Sequence, residues 1–322
     1  MHTKQQQSGF VLLVTVIMIA AVTTVILAYS QTVRIFHDTI ANTINDNKAR
    51  NAAHSGLEFA LAYLNSTKDI AGYTKLTTDF DDVKCDIIIE CENGKLNINN
   101  LINASGEYST PYTELLLGLI DLYNNNPKNN KISYGMVPAI IDAIDPDDKV
   151  IELPLIARNN KGAEKNYYRD AGLPLCNNSK LQRIYDLTFI KDCQSSLLEN
   201  LADDTGREFI SCLTTADSKK IDINSAPAEI LAALSPDISL SKAKEISTAQ
   251  STKGYSSLEE FYTAAAIGSD TTALDGILEI DPQKKVYSIT VKAIYAYKTI
   301  KLTAISKKDD NDRYNGKKMY CN

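Results

Sequence analysis

The sequence predicts an α+β protein in which a long N-terminal helix lies on an antiparallel sheet, with a large all-helical insertion splitting that sheet in the chain. Three observations carry this. Phe10 to Tyr29 is an unbroken uncharged run, and helical apolar spacing continues beyond it to Leu64. The stretches "VKCDIIIEC" and "VYSITVKAIYAY" alternate with period two, as half-buried strands do. Between them lie four stretches with the spacing of amphipathic helices, separated by Asn-, Pro- and Gly-containing breaks.

The opening run comes first. Its twenty residues would span roughly 30 Å as a helix, the thickness of a bilayer's hydrocarbon. A core helix of a soluble protein would carry a polar stripe, and none is present. A cleaved secretory signal has an apolar region of about 7–15 residues, shorter than this one, although Ala28 and Ser30 offer small residues for cleavage. Lys4 ahead of the run favours a cytoplasmic N-terminus and a single pass. Val33, Phe36, Ile40 and Ile44, then Ala52, Ala53, Leu57, Ala60, Leu61 and Leu64, continue the pattern without Pro and with Gly56 as the first glycine. One helix from Phe10 to about Leu64 is expected, with a break near "NTINDNK" as the alternative.

In "VKCDIIIEC", Val83, Cys85, Ile87, Ile89 and Cys91 share one face. Asn93-Gly94 predicts a hairpin turn, followed by a return strand with Lys95, Asn97 and Asn99 opposite Leu96 and Ile98. Helices are expected in "TPYTELLLGLIDLY", "GMVPAIIDAID", "NSKLQRIYDL" and "QSSLLENLADDTGREFISCL". Further strands are expected in "KIDIN", "VYSITVKAIYAY", "TIKLTAIS" and "GKKMYC".

Composition bounds the function. A chain of 322 residues, 44% apolar and 23% charged, is globular and long enough for one large core or two modest ones. With 34 basic against 40 acidic residues it argues against a broad nucleic-acid surface. Six cysteines suit a few staples in an oxidising compartment. No enzyme is expected: His37 and His54 are seventeen positions apart on a helix and face different sides, and no GxSxG, HExxH or phosphate-binding loop occurs.

Gly9 followed by Phe10 is a polar-to-apolar junction that resembles the class III leader of type IV pilins and type II secretion pseudopilins. The resemblance implies that a prepilin peptidase cuts after Gly9 and that Phe10 becomes the N-methylated first residue. Most members of that superfamily carry Glu five residues after the cut. Here the position is Val14. A carboxylate at membrane depth costs about 2.5–3.5 kcal/mol unless paired, and in filaments it is thought to pair with a neighbour's N-terminal amine. A subunit without it forgoes that contact, which suits the tip.

In order along the chain, "KLNINNL", "AIIDAIDPDD", "GAEKNYY", "IDINSAPAEILAAL" and "YSSLEEF" resemble the general secretion pathway protein K family, the large minor pseudopilin of type II secretion. The resemblance implies a bacterial inner-membrane protein, single-pass, with its bulk in the periplasm. It implies a place at the pseudopilus tip, I- and J-type minor pseudopilins as partners, a part in starting assembly, and calcium in the soluble part. The expected organisation is a leader at 1–9, the membrane part of the helix at 10–29, and the rest of that helix with the first strands at 30–99. An inserted helical domain follows at 100–217, then the remainder of the pilin-like domain at 218–322. A minor pilin of a type IV or DNA-uptake pilus would share the leader but not the ordered middle segments.

"DAIDPDDKVIELPLIARNNKGAEKNYY" concentrates Asp142, Asp145, Asp147, Asp148 and Glu164 about a Pro-marked loop. Calcium takes about 6–8 oxygen ligands, and such a loop with a distant Glu can supply several. The spacing is not that of an EF-hand. Asp145, Asp147, Asp148 and Glu164 are the expected calcium ligands, against a solvated acidic helix end as the plain alternative; relatives often have an acidic residue where this chain has Lys165. "INSAPAEILAALSPDISLSKAKEI" resembles a helix-hairpin-helix DNA-binding unit, but its hairpin lacks glycine. Residues 219–268 hold five lysines against six acidic residues. Phosphate binding needs cations, so a helical packing unit is expected instead.

Cys85 and Cys91 on one strand would lie about 20 Å apart, beyond disulfide reach. Cys176 and Cys193 are the candidate local bridge. Partners among Cys85, Cys91, Cys212 and Cys321 stay open, as do free buried thiols.

Overall fold

The structure is a computed structural model describing residues 3–67, 70, 72–174, 178–203, 206–268, 270–308 and 313–321, with side chains between residues 10 and 316. Helix α1 (Thr3–Ser66) runs without a break through the NTINDNK stretch and begins within the expected leader. At 64 residues it is about 95 Å long. Its apolar part has a mean hydropathy of 2.9 over its best membrane-length window, none of which is buried in the fold. Threonines there remain compatible with hydrocarbon because their hydroxyls bond within the helix. Thr15 donates to the Leu12 carbonyl at 2.8 Å, Thr23 to Ile19 at 2.7 Å and Thr24 to Ala20 at 2.8 Å.

The second half of α1 packs on a sheet through Ala49, Ala52, Ala53, Leu57, Ala60 and Leu64. Small residues let the helix come close. A Cβ on Gly56 would sit 2.8 Å from Val291 Cγ1. The sheet has strand order β1-β2-β7-β8-β9, all neighbours antiparallel. β1 is Tyr73–Phe80 and β2 is Val83–Cys91. Cys85, Ile87, Ile89 and Cys91 face α1 and are buried, as their alternation predicts.

The chain then leaves the sheet until residue 286. A 3-10 turn at Glu92–Gly94 leads to β3 (Leu96–Asn97). The hairpin expected at Asn93-Gly94 does not form, because both edges of β2 are already taken, by β1 and by β7. The Asn93 carboxamide instead accepts from Val286 N–H at 2.7 Å, and β3 pairs in parallel with β4.

Helices α2 (Thr110–Asn124) and α3 (Met136–Ile144) follow as expected, then the short α4 (Lys165–Asp170). The "NSKLQRIYDL" stretch forms a 3-10 segment, Ile184–Phe189, rather than an α-helix. The next expected helix reduces to one turn, α5 (Ser195–Leu198), and a 3-10 segment at Phe209–Cys212 before β4 (Leu213–Thr214). Polar side chains there serve the backbone elsewhere: Asn200 Nδ2 donates to the Asn130 carbonyl at 2.9 Å.

β5 (Ile221–Asp222) comes next, then α6 (Ala228–Ala233), α7 (Leu240–Thr252), α8 (Leu258–Ala265) and α9 (Thr272–Ile277), and β6 (Leu278–Glu279). β5 pairs in parallel with β6 and stands outside the large sheet, where "KIDIN" was expected to lie. Ile221, Ile223, Ile230, Leu231, Ala243 and Ile246 share one core with Leu116, Leu119 and Ile120 of α2. Thus the region expected to rejoin the pilin-like part from residue 218 packs with the helical body up to the start of β7 (Val286–Tyr295). The α6–α7 hairpin is a packing unit of that body. β8 (Lys298–Lys308) and β9 (Tyr314–Cys321) complete the sheet.

Register fixes which end of the sheet carries the body. At the β7–β8 turn, Tyr295 touches Lys48 and Tyr297 bonds Asn42, low on α1. At the other end Cys91 pairs with Tyr287, whose hydroxyl donates to Ile70 beyond the end of α1. The helical body therefore grows from the end of the sheet far from the apolar half of α1. A buried ionic cluster fastens the joint. Lys95 Nζ lies 2.7 Å from Glu92 and 3.0 Å from Glu90, and Arg207 of the body reaches Glu90 while lying over the Tyr73 ring.

Candidate metal centre

Three carboxylates converge in the helical body. Asp142 lies in the last turn of α3, wholly buried within an otherwise apolar helix. Asp145 caps the C-terminus of α3 in an extended conformation, as expected for a residue before proline. Glu164 immediately precedes α4. Their ligand oxygens lie within 4.8 Å of one another, with all three residues buried.

The intervening loop makes the convergence possible. From the end of α3 the chain runs out and returns, with Leu153 N–H donating to the Asn160 carbonyl and Gly162 N–H to the Ile151 carbonyl. Ile151 N–H donates to Asp142 Oδ1 at 3.0 Å. Gly162 crosses directly over Asp142. A Cβ there would lie 2.1 Å from Asp142 Oδ2 and 2.6 Å from the Pro138 carbonyl, so the return strand can pass only as glycine.

Electrostatically the cluster is short of positive charge. Burial, then the neighbouring Glu164 and Asp145 charges, pushes the Asp142 carboxyl up to about 7. Burial and the Glu164 and Asp147 charges push Asp145 up to about 6, and burial raises Glu164 as well. Asp145 Oδ1, Glu164 Oε1 and the nearby Asn178 Oδ1 are buried and accept no hydrogen bond. Such oxygens cost about 1–3 kcal/mol each when left so. An oxygen-rich, anionic, donor-poor cavity of this size fits a hard cation.

The four expected ligands divide. Asp145 and Glu164 are in the cavity. Asp147 and Asp148 are exposed: Asp147 Oδ1 accepts Lys149 N–H at 2.7 Å, and Asp148 Oδ1 is held by Lys165 Nζ at 2.6 Å. That lysine hydrogen bond keeps the Asp148 carboxyl below the usual range. Asp142, not among the expected ligands, lies together with Asp145 and Glu164. Its signal was an acidic residue inside the apolar spacing of α3.

The other expected positions lie elsewhere. Gly9 and Phe10 fall within α1, and Val14 is in its unburied apolar half. Cys193 is a buried thiol, while Cys176 lies outside the described residues. Cys85, Cys91 and Cys212 are buried thiols too.

A long helix, apolar in its first half and laid across an antiparallel sheet in its second, with a helical body at the far end, is a pilin-like arrangement. Residues 221–280 match the family profile described as type II secretion system, protein K. The whole fold is similar to a chain of the GspK–GspI–GspJ complex of the type 2 secretion system of enterotoxigenic Escherichia coli. The TM-score is 0.65 at 12% identity, over 87% of this chain and 98% of that one. No curated protein matches the sequence. Matched segment and fold are thus both similar to those of the protein K minor pseudopilins of type II secretion.

Proposed function

We propose that this subunit caps the tip of a periplasmic pseudopilus, anchored in the inner membrane by α1 before assembly. The observation that supports it is the helical body, carried on the end of the sheet farthest from the apolar half of α1. Bulk there obstructs addition of a subunit above, while the exposed apolar helix remains available to pack against subunits below. Val14 agrees, since a subunit with none above it has no use for an acidic handle in the membrane. In this reading the chain is a structural subunit with no catalytic role. It binds I- and J-type minor pseudopilins, the kind of partners named in the similar complex, and helps to start assembly. Imaging of assembled pseudopili labelled on this subunit should show label at one end only; label distributed along the shaft would overturn the proposal.

Prepilin peptidase cleavage after Gly9 follows from the same reading. Mass spectrometry of the mature chain should then find N-methyl-Phe10 at its start, whereas a mature start near Gln31 would mean a secretory signal.

Calcium belongs to the proposal as a structural ion, held by the converging carboxylates of Asp142, Asp145 and Glu164, where Asp145 Oδ1 and Glu164 Oε1 are buried without a donor. Bound there it would tie the end of α3 to the start of α4. Calorimetric titration of calcium into the chelator-treated full chain in detergent should give heat that Asp145→Ala abolishes. Absence of heat in the parent chain would end this part.

A further inference from the structure

We infer that Asn178 supplies a neutral ligand oxygen to the cation held by Asp142, Asp145 and Glu164, an inference that rests on the calcium reading of that cavity. Calcium needs about 6–8 oxygens, and the three carboxylates are partly committed. Asp142 Oδ1 already accepts Ile151 N–H. The two acidic neighbours are turned away, with Asp147 Oδ1 on Lys149 N–H and Asp148 Oδ1 on the Lys165 ammonium. An uncharged oxygen from another segment would add to the set.

Asn178 enters from a separate segment, and its amide spans the outer pair and the cavity. Nδ2 donates to Asp148 Oδ1 at 2.9 Å, lies 3.4 Å from Glu164 Oε2 and also reaches the Asp147 carbonyl. The opposite amide orientation would set Oδ1 against two carboxylates and a carbonyl, so the network fixes which atom is which. That leaves Oδ1 buried with no hydrogen-bond donor, as Asp145 Oδ1 and Glu164 Oε1 are, on a side chain whose Nδ2 lies 3.4 Å from Glu164 Oε2. The backbone also selects the residue. Asn178 has φ of +45°, a left-handed conformation that Asn and Asp tolerate and most side chains do not. A short oxygen-bearing side chain is placed where a cation would need one.

The test titrates calcium into the chelator-treated full chain in detergent, as parent, Asn178→Gly and Asn178→Asp. Glycine accepts the left-handed backbone but removes the amide; aspartate keeps the oxygen and loses the Nδ2 donor. Asn178→Gly should weaken calcium at least about tenfold, a loss of the size that even a supporting contact of a metal site produces. Asn178→Asp should bind as tightly as the parent or more so. Unfolding temperatures in chelator, read on all three, separate a lost ligand from a damaged fold. Parent-like affinity in Asn178→Gly overturns the inference while leaving the calcium site standing. Equal weakening in both variants also overturns it, because the donor and not the oxygen would then matter. A parent chain that binds no calcium removes the site and this ligand together.

Discussion

Gly162 shows how much a single missing atom can matter. It passes so near Asp142 that a methyl group would collide with the carboxylate at 2.1 Å and with the Pro138 carbonyl at 2.6 Å. Neither neighbour can simply yield, since Pro138 is fixed in the first turn of α3 and Asp142 is wholly buried. Gly162→Ala should therefore displace Asp142 from the cavity. Differential scanning calorimetry should show the variant losing about 2 kcal/mol of stability, typical of overpacking, together with any calcium-dependent rise in unfolding temperature. At this scale the sequence was half legible. Asp145 and Glu164 could be picked from an acidic loop and a separated glutamate. Asp147 and Asp148 look identical to them in a string of letters. Only the fold reveals that Lys165, the first residue of α4, pairs with Asp148 on the outside.

Among the elements, α1 and its sheet follow most directly from local pattern. Period-two alternation places Cys85, Ile87, Ile89 and Cys91 beneath the helix, and alanines at helical spacing provide the matching face. Gly56 sets the separation of the two layers, its Cα facing Val291 of β7. Gly56→Leu should destabilise the fold by about 3 kcal/mol, the upper end for overpacking, read as a lower denaturation midpoint with an unchanged slope. What local pattern could not supply was partnership. β1, with alternating but mostly polar residues, gave no apolar signal of its own, although it pairs along all of β2. The turn at Asn93-Gly94 departs from the expected hairpin for the same reason. A hairpin needs a free strand edge, and edge occupancy is decided by β7, nearly two hundred residues later.

For the whole molecule, the acid cavity sets a pH dependence. With no cation bound, Asp142 and Asp145 titrate near 7 and 6 in the folded chain but near about 4 when unfolded. The folded state then holds more protons than the unfolded one, so stability falls as pH rises from about 4 towards 7. Calcium held there would offset the charge and should raise the unfolding temperature more at pH 7.5 than at pH 5. An equal rise at both would contradict the assignment of these carboxyls. Length, an apolar run after a polar leader and ordered segments sufficed for the architecture, yet the insertion's true extent did not show. "KIDIN" alternates like a sheet strand but spends its apolar side chains in the helical core.

The body enters after Cys91 and leaves before Tyr287, and those two residues face each other across one rung of the sheet. Traction applied to the body by a docked partner would therefore load β2 and β7 together, as one tongue sliding against β1 and β8, rather than pull the two apart. Arg207 and Lys95, both gripping Glu90 beside that rung, sit at the root of that tongue, where the body would otherwise swing.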